Sequence, residues 1–201
     1  MASIVEICNM ALSHLGTGKE IAVITENSEE ANACNRFYET SRDGTIEDYP
    51  WPFARTFATL ALVLADPTDE WSYSYRYPVD CLRFSRIQSG NTIDTRQSRV
   101  SYILASDVSG RLIITNKENA KCEYYRSGIS EAYFTPSFSM ALSFRLAMLI
   151  APRLTKGDPT KIKNDMYRLY LGELDKVKAN SVNEEQQYEE VESAIIRSRT
   201  E

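Results

Sequence analysis

The sequence predicts an α+β fold, in which a bundle of about four helices carries a small, mostly antiparallel β-sheet inserted between the second and third helices. An extended C-terminal tail is expected to follow. Apolar residues recur with helical spacing near both ends of the chain, whereas the middle third alternates with a period of two and is rich in aromatic residues. A chain of 201 residues, 43% of them apolar, can bury one sizeable core, so we expect a single domain spanning residues 1–201.

Residues 1–50 predict two helices. Gly16 ends the apolar pattern of the first, as glycine at a helix C-terminus often does. The second helix can be capped by Asn27 or Ser28, because two glutamates follow in what would be its first turn. It must end by Asp48, since Pro50 cannot continue it. The apolar face of the first helix comprises Ile4, Ile7, Cys8, Ala11, Leu12 and Leu15.

Residues 51–130 predict the β-rich insertion. Aromatic residues alternate with small or polar ones from Trp71 to Tyr77, which indicates a strand with its rings on one face. The last three predicted strands form a meander with turns at 106–110 and 116–119, where turn-forming residues cluster. The predicted strands are Arg55–Leu64, Trp71–Tyr77, Leu82–Ile87, Ser98–Ala105, Arg111–Thr115 and Lys121–Arg126.

Residues 135–180 predict two further helices. Thr135 and Asp158 each precede a proline, a combination typical of a helix cap followed by the first helical residue. The first of these helices, through Ala151, is apolar nearly all round, which indicates a buried central helix. The second carries an apolar stripe as far as about Asn180.

Residues 181–201 predict the tail, which is polar and acidic before the apolar pair Ile195 and Ile196 and the basic Arg197 and Arg199. This segment can be a frayed end, or it can become ordered against a partner with the isoleucines as anchors. We expect deletion of the residues after Glu190 to leave the thermal unfolding midpoint nearly unchanged and to weaken assembly. A large drop in that midpoint would show instead that the tail belongs to the core.

Composition excludes several kinds of chemistry. A single histidine excludes a multi-histidine metal site, and gaps of 26, 47 and 41 residues between the four cysteines exclude CxxC pairs. His14 is interpreted as a locally bonded histidine at the edge of an apolar face. The net charge of −5 disfavours an ordinary DNA-binding module, which leaves a basic footprint. We therefore predict no enzymatic activity, no cofactor and no metal, and the N-terminus lacks the basic start of a signal peptide.

The tyrosine stripe at Tyr73, Tyr75 and Tyr77 is open to three interpretations. It can be one face of a half-buried strand, or a subunit or partner interface. It can also stack nucleic-acid bases, since Arg83 and Arg86 are near in sequence. The candidate interface residues are Tyr73, Tyr75, Tyr77, Arg83, Arg86, Ile195, Ile196, Arg197 and Arg199.

The order of motifs resembles that of the tail tubular protein A-like head-to-tail adaptors of short-tailed bacteriophages. The resemblance includes IVEICNMALSHLG near the N-terminus, a Trp-x-Phe-Ala strand entry at Trp51, and Tyr-Pro-x-Asp-Cys-Leu-Arg from Tyr77. It continues through YFTPSFSMALSFRLAMLIAPRLTKG. Ile195 or Ile196 stands where many members of that family have tryptophan.

The resemblance implies a structural protein of the virion, assembled in the host cytoplasm and located at the head–tail interface. Such adaptors form a homo-oligomeric ring, a dodecamer, below the portal protein. The ring extends the DNA channel without binding DNA specifically and docks tail nozzle or tail fibre proteins. No membrane partner is expected. The alternative is a nucleic-acid-binding module that uses the Tyr/Arg-rich strand face.

Overall fold

The computed structural model describes residues 2–91, 98–155 and 158–184, and within them it confirms the α+β prediction. These residues form four helices, and in sequence an insertion of antiparallel strands separates the second helix from the third. The helices are α1 (Ile4–His14), α2 (Glu29–Asp48), α3 (Pro136–Leu154) and α4 (Pro159–Glu184). The strands are β1 (Arg55–Thr59), β2 (Leu62–Thr68), β3 (Trp71–Arg76), β4 (Cys81–Ile87), β5 (Tyr102–Asp107), β6 (Gly110–Thr115) and β7 (Lys121–Arg126).

Side-chain caps fix where the first three helices begin. Ser3 and Glu6 form a reciprocal capping box at the start of α1. Of the two caps that the sequence allowed for α2, Ser28 is the one used, and its hydroxyl accepts a hydrogen bond from the Ala31 amide. Thr135 caps α3 as predicted, with Pro136 at the first helical position.

Helix α3 is the centre of the helical core. It packs against α1, α2 and α4, and its buried residues lie on all sides of the helix, which confirms the prediction of a central buried helix. Trp51, just after α2, packs against Phe138 of α3 with ring centroids 4.9 Å apart. The segment that connects α2 to β1 is therefore anchored in the helical core. Cys8 and Cys34 are also buried in this core as free thiols, where they pack as small apolar side chains.

One polar cluster joins three of the helices. Arg145 of α3 donates hydrogen bonds to the Asp48 carboxylate at the end of α2 and to the Tyr170 hydroxyl of α4. The Tyr170 hydroxyl also donates to Asp48, at 2.6 Å. The guanidinium lies directly over Gly44 of α2, so that a Cβ at that position would be 2.3 Å from its Nη2 atom.

The strands form two antiparallel sheets instead of the single sheet that was predicted. The inner sheet has the order β1-β7-β4, and the outer sheet has the order β2-β3-β6-β5. Tyr125 of β7 belongs to the helical core, whereas Cys122 and Tyr124 pack with Tyr75 and Ile113 of the outer sheet in a second, smaller core. The inner sheet therefore lies between the helices and the outer sheet.

Two strand predictions are wrong in connectivity. The predicted strand Arg55–Leu64 is divided between the sheets: the amide of Leu60 donates to Ala120 beside the inner sheet, and the carbonyl of Ala61 accepts from Arg76 of the outer sheet. The predicted meander is also wrong, because only its first two strands are neighbours and β7 pairs with β1 and β4. The extended tail and its Ile195, Ile196, Arg197 and Arg199 lie outside the described residues.

Candidate interaction surfaces

The tyrosine stripe lies largely inside the protein. Tyr75 and Tyr77 are buried in the second core, and Tyr73 is half-buried against it. The Tyr75 hydroxyl donates to the Lys117 carbonyl at 2.9 Å, and the Arg111 guanidinium covers the Tyr77 ring at 3.9 Å from its centroid. Neither of the two buried rings offers an open face for base stacking, which the nucleic-acid interpretation requires.

Arg83 and Arg86 line a polar cleft between the end of α2 and the inner sheet. The cleft has a volume of about 440 Å³, and Arg55 and Glu123 also line it. Glu123 is buried, and Arg86 donates to one of its carboxylate oxygens at 2.8 Å while Arg55 lies 3.4 Å from the other. Arg86 thus has a buried carboxylate partner within its own chain.

The same cleft has an excess of positive charge. Glu123 is the single carboxylate among its lining residues, which include three arginines. Arg83 is exposed, and the partner that the structure gives it is the Glu47 backbone carbonyl, at a long 3.5 Å. A guanidinium with so weak a contact can donate to a carboxylate of another protein. The cleft is therefore suited to an acidic partner residue.

Two further surfaces consist of aliphatic residues, one on each edge strand of the outer sheet, and we call them the aliphatic edges. These side chains are 42–56% exposed, although leucine, isoleucine and valine are usually buried in a core. Exposed apolar groups that cluster, unlike scattered ones, mark interaction sites. The residues are Leu62, Val63 and Leu64 on β2, and Ile103 and Leu104 on β5.

The aliphatic edges end two cross-strand rows of the outer sheet. One row is Leu62–Tyr75–Ile113–Leu104, and the next is Leu64–Ser74–Ile114–Ile103. In each row the two central side chains are buried and the two end side chains are exposed. Each row thus ends in an aliphatic side chain at both edges of the sheet.

An exposed ion pair stabilises the outer sheet near the β5–β6 turn. Arg76 donates to both carboxylate oxygens of Asp107, at 2.8 and 3.0 Å. This hydrogen bonding is the main reason that the pKa of Asp107 falls to about 2. A carboxyl whose pKa is depressed on folding stabilises the fold above its unfolded pKa, about 3.9, and this contribution is lost as the pH falls towards 2.

We expect the carboxyl carbon of Asp107 to titrate in NMR spectra with a midpoint near 2. In Arg76→Gln the midpoint should rise towards the ordinary value of about 3.9, because the paired donor is gone. Arg99→Gln is the matched control, since Arg99 is exposed and makes no contact with Asp107 in the described structure. A wild-type midpoint near 4 would contradict the pairing.

His14 contacts a serine, but the geometry does not activate the hydroxyl. Its Nε2 lies 3.0 Å from Ser143 Oγ, and that hydroxyl donates to the Met140 carbonyl at 2.7 Å. Because a hydroxyl has one hydrogen, His14 must be the donor in this pair. Burial also lowers the pKa of His14, which favours the neutral ring. Its partner lies on α3, so the prediction of a local partner is wrong.

Sequence reasoning missed the aliphatic edges and the buried carboxylate of the cleft. The continuous apolar run LALVL at residues 60–64 does not show the alternation of a half-buried strand, and the prediction of one strand over 55–64 takes no account of this. Glu123 stands between Cys122 and Tyr124, so its position on the opposite face of β7 follows from strand alternation.

In the described part of the chain no helix is long and apolar enough to cross a membrane. In that same part, no group of three or more His, Cys, Asp and Glu side chains is placed to hold a metal ion. A comparison with models of known protein families found no match to this chain, and neither did a search of curated proteins.

Proposed function

We propose that this protein is a virion adaptor that forms a ring below the portal protein, extends the DNA channel and docks the tail nozzle or tail fibres. The observation that carries the proposal is the exposed aliphatic edges. Five aliphatic side chains on one small sheet are costly to leave in water, at about 25 cal/mol for each Å² of apolar surface. Burial against another protein removes this cost, as expected of a subunit of an assembly.

The resemblance to tail tubular protein A-like adaptors supports the same proposal. Its motif residues Trp51, Phe138, Ala141, Leu142 and Ala147 all lie in the helical core. Such residues specify how a chain packs, and the surface residues then determine what it binds. The motifs thus support the fold of the subunit, and the aliphatic edges and the cleft support its assembly role.

The acidic balance fits a channel through which DNA slides. With a net charge of −5, the subunit repels phosphates on average, so a ring of such subunits would not bind the passing DNA tightly. The exposed Arg83 of the cleft can instead donate to an acidic residue of the portal or the nozzle. The nucleic-acid-binding alternative requires open tyrosine faces, and the burial of Tyr75 and Tyr77 disfavours it.

Electron microscopy of the full chain mixed with portal rings tests the proposal. We expect an added ring below the portal in negative-stain images. Arg83→Glu should weaken this binding, because it reverses a charge in the cleft. Lys163→Glu makes the same charge change at an exposed position of α4 and serves as the matched control. If the wild-type chain neither joins portal rings nor forms rings itself, the proposal is wrong.

A further inference from the structure

The two edges of the outer sheet are complementary to each other. The sheet has the order β2-β3-β6-β5, and every neighbouring pair is antiparallel. Strands β2 and β5 therefore run in opposite directions at opposite edges. A second copy in the same orientation would place its β2 antiparallel to β5 of the first, and the sheet would continue from one chain into the next.

We propose that copies of this chain bind head to tail by pairing the β2 edge of one with the β5 edge of the next. An edge strand leaves every second backbone N–H and C=O without a strand partner on its free side, and a further strand can bond to them. The aliphatic residues add apolar contacts on both faces of that junction. This inference rests on the proposed function, which requires a ring, because repeated head-to-tail contacts can close into a ring.

The cross-strand rows predict the register of the junction. Extending the row that ends in Ile103 brings Leu64 of the next copy beside it, and extending the neighbouring row brings Leu62 beside Leu104. In this register aliphatic side chains meet on each face of the sheet. Pro67 has no N–H, so it limits the hydrogen-bonded part of β2 to the residues before it.

Charges at one end of the junction are also complementary. The turn after β2 carries Asp69 and Glu70, and the segment that leads into β5 carries Arg99. All three side chains are exposed, and none has an ion-pair partner within the described residues. In the predicted register the acidic turn of one copy lies next to Arg99 of its neighbour. The occupant that fits both the apolar and the charged features of each edge is thus another copy of this chain.

Cysteine cross-linking of the concentrated full chain tests the register. Leu64→Cys combined with Ile103→Cys should give, under mild oxidation, an intermolecular ladder on non-reducing gels, because paired strands bring the Cα atoms within disulfide range of about 4.4–6.8 Å. Leu64→Cys combined with Val108→Cys is the matched control, since Val108 is more exposed than Ile103 but lies in the turn past β5. We expect about tenfold less cross-linked product from the control, because those Cα atoms lie beyond disulfide range.

The cross-linked products distinguish head-to-tail edge pairing from other contacts between copies. A ladder beyond the dimer supports head-to-tail pairing, whereas products confined to dimers, or equal products from the control, overturn it. Arg99→Glu should reduce the ladder, and adding Asp69→Arg with Glu70→Arg should restore it. If the chain forms rings on the portal but the matched pair gives no ladder, the edge pairing is wrong and the adaptor function stands. If the matched pair gives a ladder but the wild-type chain neither joins portal rings nor forms rings itself, the edge pairing stands and the adaptor function is wrong.

Discussion

Replacing Trp51 with alanine is expected to lower the free energy of unfolding by about 3–5 kcal/mol, the usual cost of removing a large buried aromatic residue. Trp51 is 1% exposed and packs against Tyr49, Phe53 and Phe138. For a chain of this size the midpoint of thermal unfolding should fall by roughly 6–20 °C. Since native proteins are stable by about 5–15 kcal/mol, this one change can remove much of the stability.

The Trp51 side chain also has a polar role. Its Nε1 donates to the Thr45 carbonyl at 2.8 Å, and Thr45 lies in the last turn of α2, where backbone carbonyls lack helical partners. Trp51→Phe keeps most of the ring but leaves this buried carbonyl unsatisfied, so about 1–3 kcal/mol of the loss should remain. Two variants thus separate the contribution of packing from that of the hydrogen bond.

Urea unfolding followed by circular dichroism measures both changes without depending on tryptophan fluorescence. Phe57→Ala is the matched control, because Phe57 is an exposed aromatic residue on β1 and its loss should change stability by less than about 0.5 kcal/mol. A loss as small in Trp51→Ala as in this control would show that the packing of Trp51 does not stabilise the helical core.

Local patterns predicted the helices well because the signals for their ends lie within a few residues of each other. Ser28, Thr135 and Pro136 show this, since a cap depends on neighbouring backbone groups. Strand pairing depends on distant residues, and here prediction failed. Leu60 bonds to Ala120 beside the inner sheet, whereas the next residue, Ala61, bonds to Arg76 of the outer sheet. The sequence around these two residues does not indicate this change of sheet.

The candidate surfaces were harder to predict than the fold for a related reason. A tyrosine stripe has the same sequence pattern whether its face meets a core or a partner. Here the inner sheet, which packs over Tyr75 and Tyr77, decides between the two. The aliphatic edges are visible only once the order of strands is known, because an apolar residue is exposed on an edge strand and buried on a central one. By contrast, the exposure of Arg83 and Arg86 is predictable, because long charged side chains remain at the surface wherever the strand packs.

Gly44→Ala is expected to lower the free energy of unfolding by about 1–3 kcal/mol, although alanine is the better helix former. In an open helix this exchange stabilises by about 1 kcal/mol. At position 44 the new Cβ would meet the Arg145 guanidinium at 2.3 Å and displace it from Asp48 and Tyr170. Lost charge-assisted hydrogen bonds cost about 1.5–3 kcal/mol and overpacking about 1–3 kcal/mol, so their sum exceeds the helical gain. Water screens the partly exposed Asp48 and weakens its bond to Arg145. The expected net loss is therefore only about 1–3 kcal/mol.

The sign of the Gly44→Ala effect should reverse once Arg145 is absent. In Arg145→Met the guanidinium is gone and the 2.6 Å hydrogen bond from Tyr170 to Asp48 can persist, so a methyl group at position 44 has space. Adding Gly44→Ala to that variant should stabilise it by about 1 kcal/mol, which makes the interaction energy between the two positions about 2–4 kcal/mol. Gly172→Ala is the matched control, because Gly172 in α4 has open space at its Cβ position and should show the helical gain in either background. Urea unfolding of the four variants of the cycle measures this coupling. If Gly44→Ala stabilises the wild-type chain as Gly172→Ala does, Arg145 moves aside without loss and the cluster does not hold α2, α3 and α4 together.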